Sequence, residues 1–230
     1  MSRSGPEDKA LAEMANQRAS LYGLLLFVLA RLSDQNLLDA IRSEELEGIL
    51  ASSPWAKDPR FRAGLDKIRA ACSNSRGKDD RTILTELAVD RTRLLRAPVG
   101  AGFKPPYEGL FKKDEAEGGC PLKVKTFYRQ AGLLPDESVR ESPDYLCLEL
   151  DFMRLLCRRE ENQRRAGQAA AETVGCQERF LSQHLGSWLK EYCNQAQGQA
   201  ATEFFQGIMA ILDAFVAADL KYLQGLNAGK

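Results

Sequence analysis

The amino-acid sequence predicts an all-α fold, a single bundle of about eight or more helices. Along most of the 230-residue chain, apolar residues recur every three or four positions, which is the spacing of one helix face. No segment shows the sustained alternation of β-branched and polar residues that is typical of strands. Hydrophobic residues make up 44% of the chain and charged residues 28%, the composition of an ordinary globular protein.

The first helix is expected at about 10–32. Its apolar stretch, LYGLLLFVLARL at 21–32, is too short to span a bilayer and follows no basic leader, so we interpret it as a buried helix. Proline, glycine and serine clusters separate the later helices. We expect these at about 35–50, 60–72, 80–96, 120–132, 142–165, 169–193 and 200–224.

A long proline- and glycine-rich connection, residues 97–118, lies between the fourth and fifth helices. Loops of this length inside a compact domain are often functional, and the same segment suits a linker between two helical subdomains. The sequence therefore predicts one helical domain over 1–230 with a hinge in this loop.

One helix carries an acid where its apolar face should be. At 100° per residue, Glu149 lies within about 60° of a cluster of apolar side chains on the helix that Ser142, Pro143 and Asp144 are expected to start. A buried carboxylate without a partner is unfavourable. Two interpretations stay open: Glu149 pairs internally, for instance with Arg18, Arg31 or Arg93, or it forms the floor of a groove that accepts a cation from a partner.

Charge and cysteine usage exclude several classes of partner. The 32 basic and 32 acidic residues cancel, which disfavours nucleic acid and an anionic membrane as partners. Because the apolar stretch at 21–32 is too short to span a bilayer, we also expect no stable membrane insertion. The six cysteines contain no Cys-x-x-Cys pair, and a chain with a good core does not need disulfides. Buried free thiols and a cytoplasmic location follow as the prediction.

Catalytic chemistry is scarce. His184 is the only histidine, and Cys176, His184 and Cys193 lack the short spacings of zinc sites, so His184 is expected in the core or at a helix end. The sequence contains no phosphate-binding glycine loop and no nucleophile elbow. We therefore predict no catalytic residue, no metal and no cofactor.

Five segments stand out along the chain: RASLYGLLLFVLARL (18–32), LAVDRTRLLRAP (87–98), PPYEGLF (105–111), ESPDYLCLELDFMRLL (141–156) and FLSQHLGSWLKEY (180–192). Taken in this order, they resemble the TorD/DmsD/NarJ family of cytoplasmic chaperones that mature molybdoenzymes. The resemblance covers most of the chain. Four positions differ from the family pattern: Tyr145 replaces a histidine, Arg91 an aromatic residue, Leu95 a phenylalanine and Gly109 a serine.

The resemblance implies a binding protein and not an enzyme. Such chaperones hold the twin-arginine signal peptide, or the body, of a molybdopterin oxidoreductase precursor until its cofactor is inserted, as a monomer or a domain-swapped homodimer. An arginine pair followed by an apolar stretch requires carboxylates beside an apolar surface. The expected peptide-binding residues are Leu94, Tyr107, Glu108, Phe111, Asp144, Tyr145 and Glu149.

Two other functions remain open on the sequence. One is a helical metal- or nucleotide-binding enzyme that uses the PPYEG loop and the scattered thiols. The other is an adaptor that binds a folded partner through residues 97–118. Metal analysis of the purified protein separates the first from a chaperone, and capture of the native partner separates the second.

Overall fold

The computed structural model describes residues 5–97, 102–112 and 119–228, and within them the all-α prediction is confirmed. These ranges hold no helix long and apolar enough to cross a bilayer. Two 3₁₀ turns, Pro54–Lys57 and Glu108–Leu110, interrupt the connections. The α-helices are α1 (Pro6–Ala30), α2 (Gln35–Arg42), α3 (Glu45–Ala51), α4 (Pro59–Ser75), α5 (Asp80–Arg96), α6 (Gly119–Gln130), α7 (Leu146–Arg165), α8 (Ala171–Gln183), α9 (Leu185–Gln199) and α10 (Glu203–Ala228).

Two of the helices expected as single elements are each divided in two. The segment at 35–50 breaks before α3, where Glu44 takes a left-handed φ of 59°. The segment at 169–193 breaks at His184, which leaves the helical region with φ −120° and ψ −104°. Gly186 permits this kink because a Cβ there would lie 2.5 Å from the Leu181 carbonyl oxygen. Apolar periodicity continues across so short a break, which is why the sequence pattern did not reveal it.

The start of α7 also differs from the expectation that Ser142 caps it. The helix begins at Leu146, and Tyr145 stands at the cap position without a side-chain cap. Ser142 Oγ instead donates to Asp144 Oδ1 at 2.5 Å, and the Tyr145 N–H donates to the Ser142 carbonyl at 3.0 Å. The Ser-Pro-Asp sequence therefore forms a turn before the helix, a role that suits these residue types equally well.

Within the predicted hinge at 97–118, residues 98–101 and 113–118 lie outside the described residues. The chain divides into two compact units. The first comprises Met1–Leu26, Tyr107–Trp188 and Asp219–Lys230, and the second comprises Phe27–Pro106 and Leu189–Ala218. The single-domain organisation and the hinge stay predictions.

In the first unit, a fully buried arginine ties α1 to α10. Arg18 Nε donates to Asp219 Oδ1 at 2.5 Å and Arg18 Nη2 to Asp219 Oδ2 at 3.2 Å, a bidentate pair. Tyr22, one turn further along α1, donates to Asp219 Oδ2 at 2.8 Å. Arg18 Nη1 also donates to Glu160 of α7 at 2.9 Å, and Nη2 donates to Gln177 of α8. One guanidinium therefore joins four helices.

In the second unit, α4 and α10 cross at two glycines. A Cβ at Gly207 would lie 2.7 Å from the Gly64 carbonyl oxygen, and one at Gly64 would lie 2.7 Å from Ile211 Cγ1. The helices can approach this closely only because neither residue has a side chain.

The end of α1 at Ala30 is held by an arginine: buried Arg91 donates to the Leu29 and Ala30 carbonyls at 2.9 and 3.0 Å.

Replacing Arg18 with methionine should destabilise the protein strongly. The change leaves Asp219 buried without its cation and Glu160 with Arg164 alone, which costs about 3–5 kcal/mol of unfolding free energy. Arg31→Met, one residue beyond the end of the same helix, is the control, because the Arg31 side chain is 60% exposed and its pair with Asp34 is 3.9 Å long. Urea unfolding should place the control within about 1 kcal/mol of the wild type. Equal midpoints for the two variants would contradict the role given to Arg18.

Gly207→Ala should also destabilise, against the usual helix preference for alanine. In an open helix site alanine gains up to about 1 kcal/mol over glycine, whereas here the methyl group meets the α4 backbone and costs about 1–3 kcal/mol. Gly225→Ala lies in the same helix with nothing within 4 Å of its Cβ, so it should raise the melting temperature. Opposite signs for the two variants are expected in thermal unfolding, and a stabilised Gly207→Ala would refute the close crossing.

Candidate functional site: a buried carboxyl pair

The seven residues expected from the sequence are divided between the two units. Leu94 belongs to the second unit, where it is buried and its carbonyl accepts a hydrogen bond from Tyr192 Oη at 3.4 Å. The other six belong to the first unit and are brought together there: Tyr107, Glu108, Phe111, Asp144, Tyr145 and Glu149.

Backbone contacts join the 3₁₀ turn at 108–110 to the turn before α7. An isolated antiparallel bridge pairs Tyr107 with Tyr145, and the Glu108 N–H donates to the Asp144 carbonyl at 3.0 Å. The Gly109 N–H donates to Asp144 Oδ2 at 3.0 Å, so this acid holds the turn. The Tyr107 and Tyr145 rings pack with centroids 5.2 Å apart. Asp144 thereby positions Glu108.

Glu108 is fully buried and has two cationic or polar partners. His184 Nδ1 lies 3.1 Å from both of its carboxylate oxygens, and Lys112 Nζ forms an ion pair with Oε1. Burial by itself would raise the pKa of Glu108, but the hydrogen bonds from His184 and Lys112 outweigh burial and hold the pKa below its ordinary value. Glu108 is therefore ionised.

Glu149 is equally buried, but no cation of the described residues pairs with it. Trp188 Nε1 donates to Oε2 at 3.2 Å, and no N–H or O–H of the described residues donates to Oε1. Burial first, and then the charge of Glu108 and a hydrogen bond with it, raise the pKa of Glu149 well above its ordinary value. Glu149 consequently keeps its proton to a higher pH than an ordinary carboxyl and donates it to Glu108, so the two carboxyls share one proton.

None of the arginines considered from the sequence neutralises Glu149. Arg18 pairs with Asp219 and Glu160, while Arg31 and Arg93 pair with Asp34 and Asp90. The internal partners of this acid are an indole N–H and a second carboxyl.

Aromatic packing holds the histidine in place. Phe180 and Phe127 contact the His184 ring with centroids 5.2 and 5.4 Å away. Phe111 packs on Trp188 at 5.3 Å, and so fixes the indole that donates to Glu149. The expectation that His184 belongs to the core or a helix end is confirmed, since it is buried and ends α8.

Three residues that contact Glu108 or Glu149 were not predicted from the sequence: Lys112, His184 and Trp188. Two weak signals pointed to them. Lys112 follows Glu108 by four residues, and His184 precedes Trp188 by four, the spacings that bring side chains to one face of a helical turn. The kink at His184 was needed to aim its ring at Glu108.

The described residues offer no site for a metal ion, and their thiols are mostly buried. Throughout the described ranges, no three His, Cys, Asp or Glu side chains are arranged to hold a metal ion. All six cysteines are reduced, and all except Cys176 are buried. Burial raises the pKa of the Cys157 and Cys193 thiols well above the ordinary value, which makes them poor nucleophiles.

Residues 56–194, more than half of the chain, match the sequence profile of the family described as nitrate reductase delta subunit. The chain belongs to this family. The resemblance to TorD-type chaperones inferred from the five segments is thereby confirmed. The family profile includes the Glu108, Asp144, Glu149 and His184 positions.

Curated relatives have names consistent with this family. The chain is 26% identical over 213 residues to chaperone protein TorD of Vibrio vulnificus, covering 91% of this chain and 95% of that protein. It is 30% identical over 115 residues to the perchlorate reductase assembly chaperone protein of Dechloromonas aromatica, about half of each chain. A selenate reductase assembly chaperone protein of Thauera selenatis is 34% identical over 86 residues, covering 37% of this chain and 45% of that one. Comparison with solved structures gave no significant match.

Glu149→Gln should make folding stability less dependent on pH. The folded-state pKa of Glu149 is raised, so the folded protein binds a proton that the unfolded chain releases above its ordinary carboxyl pKa. The unfolding free energy of the wild type therefore falls as the pH rises from the unfolded-state pKa of Glu149 to its folded-state pKa, by up to about 1.4 kcal/mol per pH unit. Glutamine keeps an acceptor for Trp188 and a donor for Glu108 without ionising.

The measurement is urea unfolding between about pH 5 and pH 9. As the pH rises, the unfolding free energy of the wild type should fall relative to that of Glu149→Gln. Asp151→Asn on the same helix is the control, because its side chain is 40% exposed and should leave the slope unchanged. A wild-type slope equal to that of Glu149→Gln would show that Glu149 is ionised in the folded protein.

Proposed function

We propose that this chain is a cytoplasmic chaperone that binds the twin-arginine signal peptide of a molybdopterin oxidoreductase precursor and holds that precursor while its cofactor is inserted. Family membership supports the chaperone role, because relatives are named assembly chaperones of perchlorate, chlorate and selenate reductases. In this proposal the chain binds its client and performs no covalent chemistry on it.

The observation that carries the proposal is a pair of buried carboxyls, of which only Glu108 has a cationic partner among the described residues. Glu108 and Glu149 are two fully buried acids with a single flexible cation, Lys112, between them and solvent. A signal peptide with two neighbouring arginines offers two guanidinium groups, each able to form bidentate hydrogen bonds with a carboxylate. Few other peptide motifs supply two fixed cations this close together.

The surroundings of the acids suit the apolar part of such a peptide. Tyr107 is half-buried and stacks on Tyr145, and Phe111 stacks on Trp188. Aromatic faces bind both apolar side chains and guanidinium planes. In the proposed complex Asp144 acts through the turn that it holds, by keeping Glu108 in position. Leu94, in the second unit, stays a predicted contact for the apolar segment, and the monomeric or domain-swapped state stays a prediction.

A twin-arginine peptide should bind, and the carboxyl variants should weaken it. The chain has two tryptophans, so a Trp55→Phe background leaves Trp188 emission as a reporter beside Glu149. Loss of a charge-assisted contact in Glu149→Gln or Glu108→Gln should reduce affinity by about tenfold to a hundredfold. Asp144→Asn should weaken binding less, because asparagine keeps an acceptor for the Gly109 N–H.

Two controls make this titration specific. Asp151→Asn, two residues beyond Glu149 and away from the cluster, should bind like the wild type. A peptide with two lysines in place of the arginines should bind weakly, because an ammonium lacks the planar fork. If the Glu108, Asp144 and Glu149 variants all retain full affinity, these acids do not form the binding site. If the arginine and lysine peptides bind equally, the ligand class is wrong.

A further inference from the structure

Glu108, Glu149 and Lys112 together carry no net charge at rest, and this balance depends on a proton. Ionised Glu108 is balanced by Lys112, and Glu149 is neutral because it keeps its proton. Titratable groups that face the pair also come from neighbouring elements: Asp144 from the turn before α7, Tyr128 from α6 and His184 from the end of α8. Among these described neighbours, no second permanent cation faces Glu149.

Lys112 is the part of this cluster that solvent can reach. Its side chain is 22% exposed, whereas the Glu108 side chain beneath it is fully buried. Its ammonium contacts the Glu108 carboxylate and donates to the Gln183 carbonyl at 2.5 Å. Lysine holds such a position by a flexible stem and point-charge contacts, so a ligand with a more rigid cation can displace it.

Glu149 Oε1 marks where a second cation would be accepted. The atom is buried, receives no hydrogen bond from a donor among the described residues, and adjoins the Glu108 carboxylate. A carboxyl oxygen in this position has an acceptor site that only a protonated neighbour or an incoming donor could fill. The Trp188 indole fixes the other oxygen, so the group cannot turn away to find a partner without losing that bond.

We propose that an arginine pair displaces Lys112 from Glu108 and ionises Glu149, so that each binding event releases one proton. This inference rests on the proposed function, since it takes the twin-arginine peptide as the ligand. The Glu149 O–H bond breaks, its electron pair stays on the carboxylate, and the proton passes to the buffer. The charge of the two glutamates and their cations is balanced before and after: two guanidinium groups balance two carboxylates, and Lys112 turns into solvent.

The exchange explains why two adjacent arginines are needed. A single guanidinium could replace Lys112 without changing the charge of the cluster, and Glu149 would stay protonated. The second guanidinium supplies the charge that makes ionisation of Glu149 favourable in a buried setting. Arginine keeps its charge when it leaves water, while a desolvated lysine tends to lose its proton. The proton on Glu149 therefore serves as a removable substitute for the second arginine.

Isothermal titration calorimetry measures this proton directly. The titrant is a twin-arginine peptide with blocked ends and no histidine, and the protein is the full chain in phosphate, Hepes and Tris at the same neutral pH. The observed enthalpy should change linearly with the ionisation enthalpy of the buffer, with a slope equal to release of about one proton per peptide. The affinity of the wild type should rise about tenfold per pH unit below the pKa that Glu149 has in the free protein.

Two variants test the assignment to named residues. Glu149→Gln should bind more weakly and with a buffer slope near zero. Lys112→Gln should bind the peptide about three- to tenfold more tightly, because the competing ammonium is gone. Circular dichroism and thermal unfolding identify a variant that has not folded, in which case the pH dependence of wild-type affinity decides the question.

The outcomes separate the two proposals. Saturable binding with no buffer dependence and no pH dependence would overturn proton release and leave the chaperone function intact. Proton release that persists in Glu149→Gln would assign it to another group and equally overturn the inference. Absence of any binding heat, together with no response of Trp188 emission to the peptide, would instead remove the proposed twin-arginine ligand.

Discussion

The first unit depends on a guanidinium that is fully removed from water. A buried arginine is tolerated only if its charge and its N–H groups are matched, and Arg18 meets this condition through Asp219, Glu160 and Gln177. Because these partners come from α10, α7 and α8, the position of each helix is constrained by the same group. Apolar packing alone would permit helices to slide or rotate, whereas the fork of the guanidinium fixes direction as well as distance.

Helix α7 also carries the contrasting case. Glu160 lies three turns after Glu149 on the same helix, and both acids are fully buried. Glu160 is neutralised by Arg18 and by Arg164, which donates to it at 2.8 Å. Glu149 is neutralised by a proton. One acid is paired with arginines inside the fold, while the other is neutralised by a proton, and this difference separates a structural ion pair from a candidate binding site.

The prediction from sequence succeeded where local pattern was sufficient. Apolar spacing identified the helices and their approximate order, and the angular position of Glu149 identified an acid facing the core. The prediction failed where a helix is interrupted by only one or two residues. His184 and Glu44 interrupt helices whose apolar periodicity continues, and the Ser-Pro-Asp turn uses the same residues as a helix cap. Family resemblance brought Glu108 into the site, although nothing in its local sequence places it beside Glu149.

The amino-acid sequence by itself determined the helical class, the reduced and mostly buried cysteines and the presence of a buried acid, because each follows from periodicity or composition along the chain. Only the tertiary structure decided the partners of that acid. Glu108, His184 and Trp188 lie between 35 and 41 residues from Glu149 in the sequence, and side-chain neighbours at that separation depend on how helices and turns pack. The same holds for Arg18 and Asp219, which are 201 residues apart in the sequence and in direct contact in the fold.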